Sequence, residues 1–289
     1  MKRIAILGCE NSHANSFIKF IQQMDEFSDV QIVGVYSCDA AASEKLNREF
    51  GVPVLKNYAD AVGLVDGVII TARHGDLHYE YAKPYIESGV PMFIDKPFTI
   101  KEEEALELVK TLRDKGIKVT GGSSLRHDSF ISELHADALG EVGGKTVGGI
   151  VRAPYSPDSE YGGFYFYAQH LVEMVCEIFG RYPLSVSTAK NGCQLTVRFH
   201  YSDCDAIGVF YDGNNKYYAL RLATEVSRGG DVTASSDWFL REFREYYGIL
   251  SGNDMTLSYK ELIAPVYIMN AIDRAMKSGR EEPVNEIKM

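Results

Sequence analysis

The chain has 289 residues, enough to bury a sizeable core in one large domain or two ordinary ones. Hydrophobic residues make up 45% of it and charged residues 24%, which is typical of a soluble globular protein. The formal net charge of -10 argues against nucleic acid or a membrane surface as the main partner, because both attract cationic proteins.

Neither a membrane span nor a leader segment is predicted. No apolar run reaches the roughly 18 residues that a transmembrane helix needs, and the first residues predict a β-strand rather than a signal peptide. The five cysteines are odd in number and scattered, which favours reduced thiols and a cytoplasmic protein. Cys193, His200 and Cys204 fit no zinc spacing, so no metal site is predicted.

Strand and helix signals alternate along the N-terminal part of the chain. Short apolar runs predict strands at Ile4–Leu7, Gln31–Tyr36, Val65–Thr71, Pro91–Ile94 and Ile117–Thr120. Helical patterns lie between them, and the clearest spans Thr99–Lys115, where Thr99 and Glu102 form a capping-box pattern. Strands separated by helices at this spacing predict a Rossmann-type, doubly wound parallel sheet.

The pattern changes near Ser123–Asp128. The segments LTVRFHY, AIGVFY and KYYALRL predict neighbouring strands, and Asp212–Asn215, between the last two, has the composition of a tight turn. Helical patterns at Trp238–Leu250 and Tyr259–Lys277 close the chain. The sequence therefore predicts an α/β dinucleotide-binding domain over residues 1–123 and an α+β domain with a mainly antiparallel open sheet over residues 124–289.

The stretch IAILGCENSH begins like a dinucleotide-binding turn. In the pattern G-x-G-x-x-G, the glycines permit the tight turn, the approach of pyrophosphate to the backbone, and close packing of helix and strand. Here only the first glycine, Gly8, is present, and Glu10 and His13 stand at the other two positions. Amides at a helix N-terminus bind phosphate without glycines, and Asn11, Ser12 and His13 add donors. The sequence leaves open whether Glu10 points away from the phosphates or closes the site.

A carboxylate after the second strand of such a domain hydrogen-bonds the ribose of NAD. Asp39 is the candidate, with Ser37 as the alternative occupant of the position that faces the ribose. The alternative role for Asp39 is to cap the next helix. No arginine follows at once to hold a 2′-phosphate, so NAD is favoured and NADP is not excluded.

The segment MFIDKPFTIKEEEA places Asp95-Lys96-Pro97 between a strand and a helix. It resembles the Glu-Lys-Pro motif of the Gfo/Idh/MocA oxidoreductase family, with aspartate in place of glutamate. The resemblance implies that Lys96 reaches the nicotinamide and the substrate. It also implies that Pro97 shapes the turn, often through a cis peptide bond.

Further segments resemble the same family over nearly the whole chain. In DGVIITARHGDLHYEYAKPYIESGVPMFIDKPF, Thr71 opens the turn after a strand and His78 matches a histidine of the following helix. In EYGGFYFYAQHLVEMVCEIFG, His170 matches the family's active-site histidine. Phe166 stands where many members have an aspartate, and Glu173 fits a branch with a glutamate three residues after the histidine.

These features predict an NAD(P)-dependent dehydrogenase that acts on a sugar, a cyclitol or a related polyhydroxy compound. Removing hydride from an alcohol needs a group that takes the hydroxyl proton, and Lys96 and His170 are the predicted catalytic pair. The predicted cofactor contacts are Gly8, Glu10, Asn11, Ser12, His13, Ser37, Asp39, Thr71, His78, Asp95, Lys96 and Pro97. The predicted substrate contacts are Arg126, Tyr161, Tyr165 and Tyr167.

Two alternatives follow from the departures at Glu10 and Phe166. One is a non-catalytic relative that senses a ligand or binds a partner. The other is a redox-neutral enzyme that keeps NAD bound, as in epimerisation or glycoside cleavage. The simpler roles are a surface ion pair for Lys96 and a core position for His170. The resemblance also implies a homo-oligomer formed through the open face of the C-terminal sheet.

Overall fold

The structure is a computed structural model that describes residues 1–213, 215–233 and 237–289. The chain forms two compact units. The first unit comprises Met1–Thr99, Glu103–Gly122 and Phe239–Leu262. The second unit comprises Ile100–Glu102, Ser123–Trp238 and Ile263–Met289. The sequence predicted one boundary at residue 123; the units change there, but Phe239–Leu262 also belongs to the first unit.

A five-stranded parallel sheet forms the centre of the first unit. Its strands are β1 (Lys2–Leu7), β2 (Val30–Tyr36), β3 (Gly67–Ile70), β4 (Met92–Asp95) and β5 (Val119–Gly122). The helices between them are α1 (Ser12–Gln23), α2 (Ala40–Phe50), α3 (Asp76–Ile86) and α4 (Glu102–Asp114). The strand order is β2-β1-β3-β4-β5, with every pair parallel. This confirms the predicted Rossmann-type sheet, in which strand order reverses between β1 and β3.

Helix α4 begins at Glu102, three residues after the capping position that the sequence predicted. The Glu102 carboxylate accepts hydrogen bonds from Arg274 at 2.9 Å and from Asn285 at 2.7 Å. The helix therefore begins later than the sequence predicted, at a residue whose carboxylate binds Arg274 and Asn285.

The second unit is built on a seven-stranded sheet. Its helices are α5 (Ser129–Leu139), α6 (Tyr165–Phe179) and α8 (Tyr259–Ser278), of which α8 starts in the first unit. Its strands are β6 (Thr146–Tyr155), β7 (Ser185–Asn191), β8 (Gln194–His200), β9 (Asp205–Asp212), β10 (Tyr217–Ala223), β11 (Arg228–Val232) and β12 (Glu282–Pro283). The strand order is β11-β10-β6-β9-β8-β7-β12, and the pairs are antiparallel except for β6 with β9. The predicted mainly antiparallel sheet is confirmed.

The hairpin expected around Asp212–Asn215 does not form, although Asn214 itself lies outside the described residues. Strands β9 and β10 are separated by β6, which pairs with both of them. The prediction of neighbouring strands is confirmed for β8 and β9, which pair antiparallel. It was wrong for β9 and β10, because local turn composition does not reveal a strand from earlier in the chain that lies between them. In the part of the chain that the structure describes, no helix is long and apolar enough to cross a membrane.

Helix α7 (Asp237–Leu250) explains why the segment from Phe239 onward joins the first unit. Phe243 is fully buried, and its ring centroid lies 5.1 Å from that of Phe17 and 4.8 Å from that of Phe27. Tyr246 is also fully buried in this core. Removing one such aromatic side chain from a core costs about 3–5 kcal/mol.

Candidate active site

The turn after β1 depends on Gly8. Its φ is +74°, and a Cβ at this position would lie 2.2 Å from the backbone nitrogen of Ala72. The hydroxyl of Thr71 donates to the Gly8 carbonyl at 3.1 Å, which fixes the turn against the end of β3. Only glycine fits both the conformation and the space, as the first position of a dinucleotide turn requires.

Two donors of the protein hold the Glu10 carboxylate. The Ser37 hydroxyl donates to Oε2 at 2.6 Å, and the backbone N–H of Arg73 donates to Oε1 at 3.0 Å. Ser37 follows β2 and Arg73 lies after β3, on either side of β1 in the sheet. The carboxylate therefore bridges the ends of β2 and β3 at the point where the strand order reverses.

Helix α1 starts directly after this turn, with Asn11 as its extended N-cap residue. The Asn11 side chain does not cap the first amides, and the first turn contains no acidic residue. Such a helix end attracts an anion. The Asn11 amide donates instead to Asp95 at 2.7 Å, and the exposed Ser12 hydroxyl donates to Asn11 at 3.1 Å. The start of α1 therefore has the amide donors that a bound phosphate requires, while Ser37 and Arg73 engage the Glu10 carboxylate.

Asp39 caps helix α2. Its Oδ1 accepts a hydrogen bond from the backbone N–H of Ala41 at 3.0 Å, and its own N–H donates to the Ser37 hydroxyl at 3.0 Å. This is the capping role that the sequence left as the alternative. The carboxylate that contacts Ser37 comes from Glu10, and the contact of Asp39 with ribose stays a prediction.

Lys96 follows directly on β4, at the carboxyl edge of the parallel sheet. The Lys96-Pro97 peptide bond is cis, as the family resemblance implied. Only 5% of Lys96 is exposed, and this burial lowers its pKa. Asp95 and Glu242 oppose the lowering of the pKa, whereas Arg73 adds to it. A lysine with a lowered pKa can act as a general base near neutral pH.

His78 is fully buried between two backbone carbonyls. Its Nδ1 lies 2.7 Å from the oxygen of Pro97, and its Nε2 lies 2.8 Å from the oxygen of Ala72. Burial lowers the pKa of His78, although Asp95 and the two carbonyls oppose this. The ring thus connects the loop after β3 with the Lys96-Pro97 turn. This geometry favours an orienting role for His78 over direct contact with a cofactor.

His13 lies between two carboxylates. Its Nδ1 is 3.2 Å from Oδ2 of Asp95, and its Nε2 is 3.2 Å from Oε2 of Glu242 on α7. Burial alone lowers the pKa of His13, but the two carboxylates outweigh burial and raise it. Glu242 was missed in the sequence, although it offered a signal. Phe239 and Tyr246 lie three residues before it and four after it, so its charge falls on the apolar face of α7.

In the second unit, the predicted histidine has a defined partner. Nδ1 of His170 lies 2.6 Å from the Ser123 hydroxyl, which also accepts the N–H of Leu125 at 3.2 Å. The ring packs near Tyr167 and Tyr217, at centroid distances of 5.8 and 6.0 Å. Ser123 was not predicted, yet it orients the ring because a hydrogen bond at one nitrogen sets the role of the other.

The predicted substrate residues of the second unit occupy different surroundings. Tyr161 and Phe166 line an open cavity of about 360 Å³, together with residues 156–160 and Asp212. The Tyr165 hydroxyl donates to Asn270 at 3.4 Å, and burial raises its pKa. The half-buried Arg126 lies in a short 3-10 helix, Ser124–His127, after β5.

Glu173 is buried and hydrogen-bonded to other side chains of the protein, which indicates a structural role. Only 1% of it is exposed, and its oxygens accept hydrogen bonds from Gln169 at 3.0 Å and Arg181 at 3.2 Å. Arg181 also forms an ion pair with Glu177, which lies one helical turn after Glu173. Glu173 therefore forms part of a buried ion-pair network that anchors the end of α6.

A Rossmann-type sheet with a glycine turn, and a buried lysine at its carboxyl edge, define a dinucleotide-binding unit of the oxidoreductase kind. Residues 2–123 match the family model described as GFO_IDH_MocA, oxidoreductase family, NAD-binding Rossmann fold. This match confirms the predicted similarity of residues 2–123 to the Gfo/Idh/MocA oxidoreductase family.

Similar proteins agree with this assignment. The uncharacterized oxidoreductase YhhX of Escherichia coli K12 is 31% identical over 127 residues, which are 39% of this chain and 35% of that relative. The chain thus matches about a third of the length of this curated relative.

Two solved structures share the fold over both units. The myo-inositol 2-dehydrogenase of Lactobacillus plantarum has a TM-score of 0.85 at 15% identity, over 98% of this chain and 99% of the other. GenD2 from gentamicin A biosynthesis, solved in complex with NAD, has a TM-score of 0.85 at 17% identity, over 99% of this chain and 97% of the other.

Proposed function

We propose that this protein is a dehydrogenase that uses a nicotinamide nucleotide to oxidise or reduce a sugar, a cyclitol or a related polyhydroxy compound. The observation behind the proposal is the buried Lys96, whose pKa is lowered at the carboxyl edge of an NAD-binding sheet. The substrate class is supported by the similarity to a myo-inositol 2-dehydrogenase.

Lys96 is the proposed proton-transfer residue. The bound nicotinamide would supply the redox chemistry, and the chain would supply binding, orientation and proton transfer. Lys96 in its neutral form takes the proton of the substrate hydroxyl at Nζ, a contribution typically worth about 10²–10⁴-fold in rate. His170, oriented by Ser123 at Nδ1, is proposed to act on the substrate through Nε2.

The environment of Glu10 supports NAD over NADP. Its carboxylate contacts Ser37 after β2, where Rossmann domains bind the adenosine ribose. A 2′-phosphate at that position would meet a negative charge, whereas the hydroxyls of an unphosphorylated ribose would meet an acceptor. We therefore expect weaker binding of NADPH than of NADH.

Cofactor titration and a substrate panel test the proposal. Binding of NADH and NADPH is measured by calorimetry, and turnover is measured as the change in NADH absorbance with a panel of polyols. Lys96→Ala should lose at least about 100-fold in kcat and keep its fold. Lys110→Ala, which changes a partly exposed lysine of the same unit, should match the wild type. Failure of the wild type to bind any nicotinamide nucleotide at millimolar concentration would refute the proposal.

The open face of the second-unit sheet supports a homo-oligomer. Ile150 on β6 and Tyr211 on β9 remain 37% and 38% exposed, which leaves apolar surface on adjacent strands. Light scattering after size exclusion should give more than one chain for the wild type and a monomer for Ile150→Asp. A monomeric wild type at micromolar concentration would contradict this assembly.

A further inference from the structure

Buried charged side chains connect Glu242 to Lys96 through consecutive contacts with His13 and Asp95. These four residues form a buried charge line. We propose that Glu242 and His13 are positioning residues, which act through Asp95 to hold Lys96 in its working place and charge state. This inference rests on the proton-transfer role proposed for Lys96. Neither residue is assigned to contact the substrate.

Each step of this line is a direct contact within the first unit. Oδ1 of Asp95 accepts the backbone N–H of Lys96 at 2.6 Å. Oδ2 of Asp95 lies 3.2 Å from Nδ1 of His13, whose Nε2 lies 3.2 Å from Glu242. Asp95, His13 and Glu242 are at most 3% exposed. Charges this close and this poorly hydrated interact far more strongly than the same charges at the surface.

The balance of charge explains why the histidine stands between the carboxylates. Two buried carboxylates without a cation would lose hydration with no compensation, which is costly. The groups that face His13 are Asp95 from β4, Glu242 from α7 and Lys96 from the turn after β4. Together the carboxylates outweigh burial and raise the pKa of His13, which favours the imidazolium form that compensates both of them.

The same groups act on Lys96. Its charged neighbours are Asp95, Arg73 and Glu242, in addition to His13. The two carboxylates favour the ammonium form of Lys96, whereas Arg73 and the His13 imidazolium favour the neutral form. Loss of His13 alone would leave Lys96 facing both carboxylates, so the pKa of Lys96 would rise.

Simple packing does not account for a glutamate at this position. Glu242 lies on the face of α7 that carries Phe239 and Tyr246, where an apolar side chain would be buried without loss of hydration. The ring of His13 packs edge-on against Phe17 and Phe239, which keeps water from its contacts with the carboxylates. A buried charge at this position is explained by its contact with His13.

Histidine NMR provides a test that does not depend on turnover. The Cε1–H signal of His13, assigned by its loss in His13→Gln, is followed against pH in the wild type and in Glu242→Gln. The wild-type signal should titrate above an ordinary histidine, and Glu242→Gln should lower its midpoint by at least about one pH unit. Glu245→Gln, the same change three residues along α7, serves as the matched control and should leave the midpoint unchanged.

The pH profile of kcat/KM then tests whether His13 influences the pKa of Lys96. In His13→Gln, the limb assigned to deprotonation of Lys96 should move to higher pH by at least about one pH unit. Loss of packing alone would lower activity without moving this limb. Glu245→Gln should keep the wild-type profile.

Three results would overturn the inference. The first is a titration midpoint of His13 in the wild type that lies at or below that of an ordinary histidine; this measurement does not depend on whether a variant folds. The second is an unchanged His13 midpoint in Glu242→Gln, and the third is an unmoved limb in His13→Gln. If NADH binds in any of these cases, the proposed function still stands. A wild type that binds no nicotinamide nucleotide would instead defeat the proposed function, and with it the role of Lys96 on which the inference rests.

Discussion

Replacement of Gly8 by alanine should destabilise the first unit more than an ordinary glycine substitution does. The backbone at Gly8 has φ +74°, which costs an L-residue about 1–2 kcal/mol. The added Cβ would also lie 2.2 Å from the nitrogen, 2.3 Å from the Cα and 2.5 Å from the Cβ of Ala72. None of these atoms belongs to a flexible side chain, so the turn and the end of β3 must separate.

The structure sets the scale of this cost. Contacts of a Cβ become ordinary only beyond 3.4 Å, so the two segments must part by about 1 Å. Two hydrogen bonds resist this movement, from the Thr71 N–H to Leu7 at 2.8 Å and from the Thr71 hydroxyl to Gly8 at 3.1 Å. Overpacking of this kind costs about 1–3 kcal/mol. With the conformational cost, we expect Gly8→Ala to lose about 2–5 kcal/mol of unfolding free energy.

Gly51→Ala is the matched control. Gly51 has φ +69°, and within the described part of the chain no atom of another segment lies within 4 Å of the point that an added Cβ would occupy. It should therefore show only the conformational cost of about 1–2 kcal/mol. Urea unfolding followed by circular dichroism measures both variants, from the midpoint and the slope. A loss in Gly8→Ala no larger than that in Gly51→Ala would refute the close-approach argument.

Three further predictions concern buried charges and thiols. Arg181→Met should lower the unfolding free energy by about 3–5 kcal/mol in urea, because Glu173 and Glu177 lose their buried cation; a loss below about 1 kcal/mol would contradict this. Burial raises the pKa of Cys9 to about 11, so Ellman's reagent at pH 8 should modify the exposed Cys38 and spare Cys9. The pKa of His13 is higher in the folded protein than its unfolded value of about 6.5. Protonated His13 therefore stabilises the fold fully below about pH 6.5, and this stabilisation is lost as the pH rises through the folded pKa. The melting temperature should therefore fall over that range in the wild type, and this fall should be absent in His13→Gln.

The fold followed from the sequence where local signals decide it. Buried parallel strands are continuous apolar runs, and this located β1 to β5. The pairing of β9 and β10 with β6 was not predictable in the same way, because β6 lies far earlier in the chain. Turn composition describes a local bend, whereas strand neighbours depend on which distant segment fills the gap between them.

The residues of the candidate site show the same difference between local and long-range signals. Lys96 was found because its motif is local, a strand followed by Asp-Lys-Pro and a helix. Ser123 and Glu242 were not found, because each is defined by a partner far away in the sequence, His170 and His13 respectively. A charged residue on an apolar helix face was the available signal for Glu242, and a lone serine after a strand offered none.

Glu10 shows how far a motif alone can be interpreted. A carboxylate at the second glycine position would repel pyrophosphate if it lay over the first amides of α1. Instead each of its oxygens accepts a hydrogen bond, from Ser37 and from the Arg73 backbone. Hydrogen bonds to a charged group contribute about 1.5–3 kcal/mol each. Moving the Glu10 carboxylate over the first amides of α1 would break both hydrogen bonds and would therefore cost several kcal/mol. The turn can therefore present amides to a phosphate and a carboxylate to a ribose from adjacent positions. Because Asp39 caps α2, we expect Glu10 to supply the carboxylate that faces the ribose rather than to close the site.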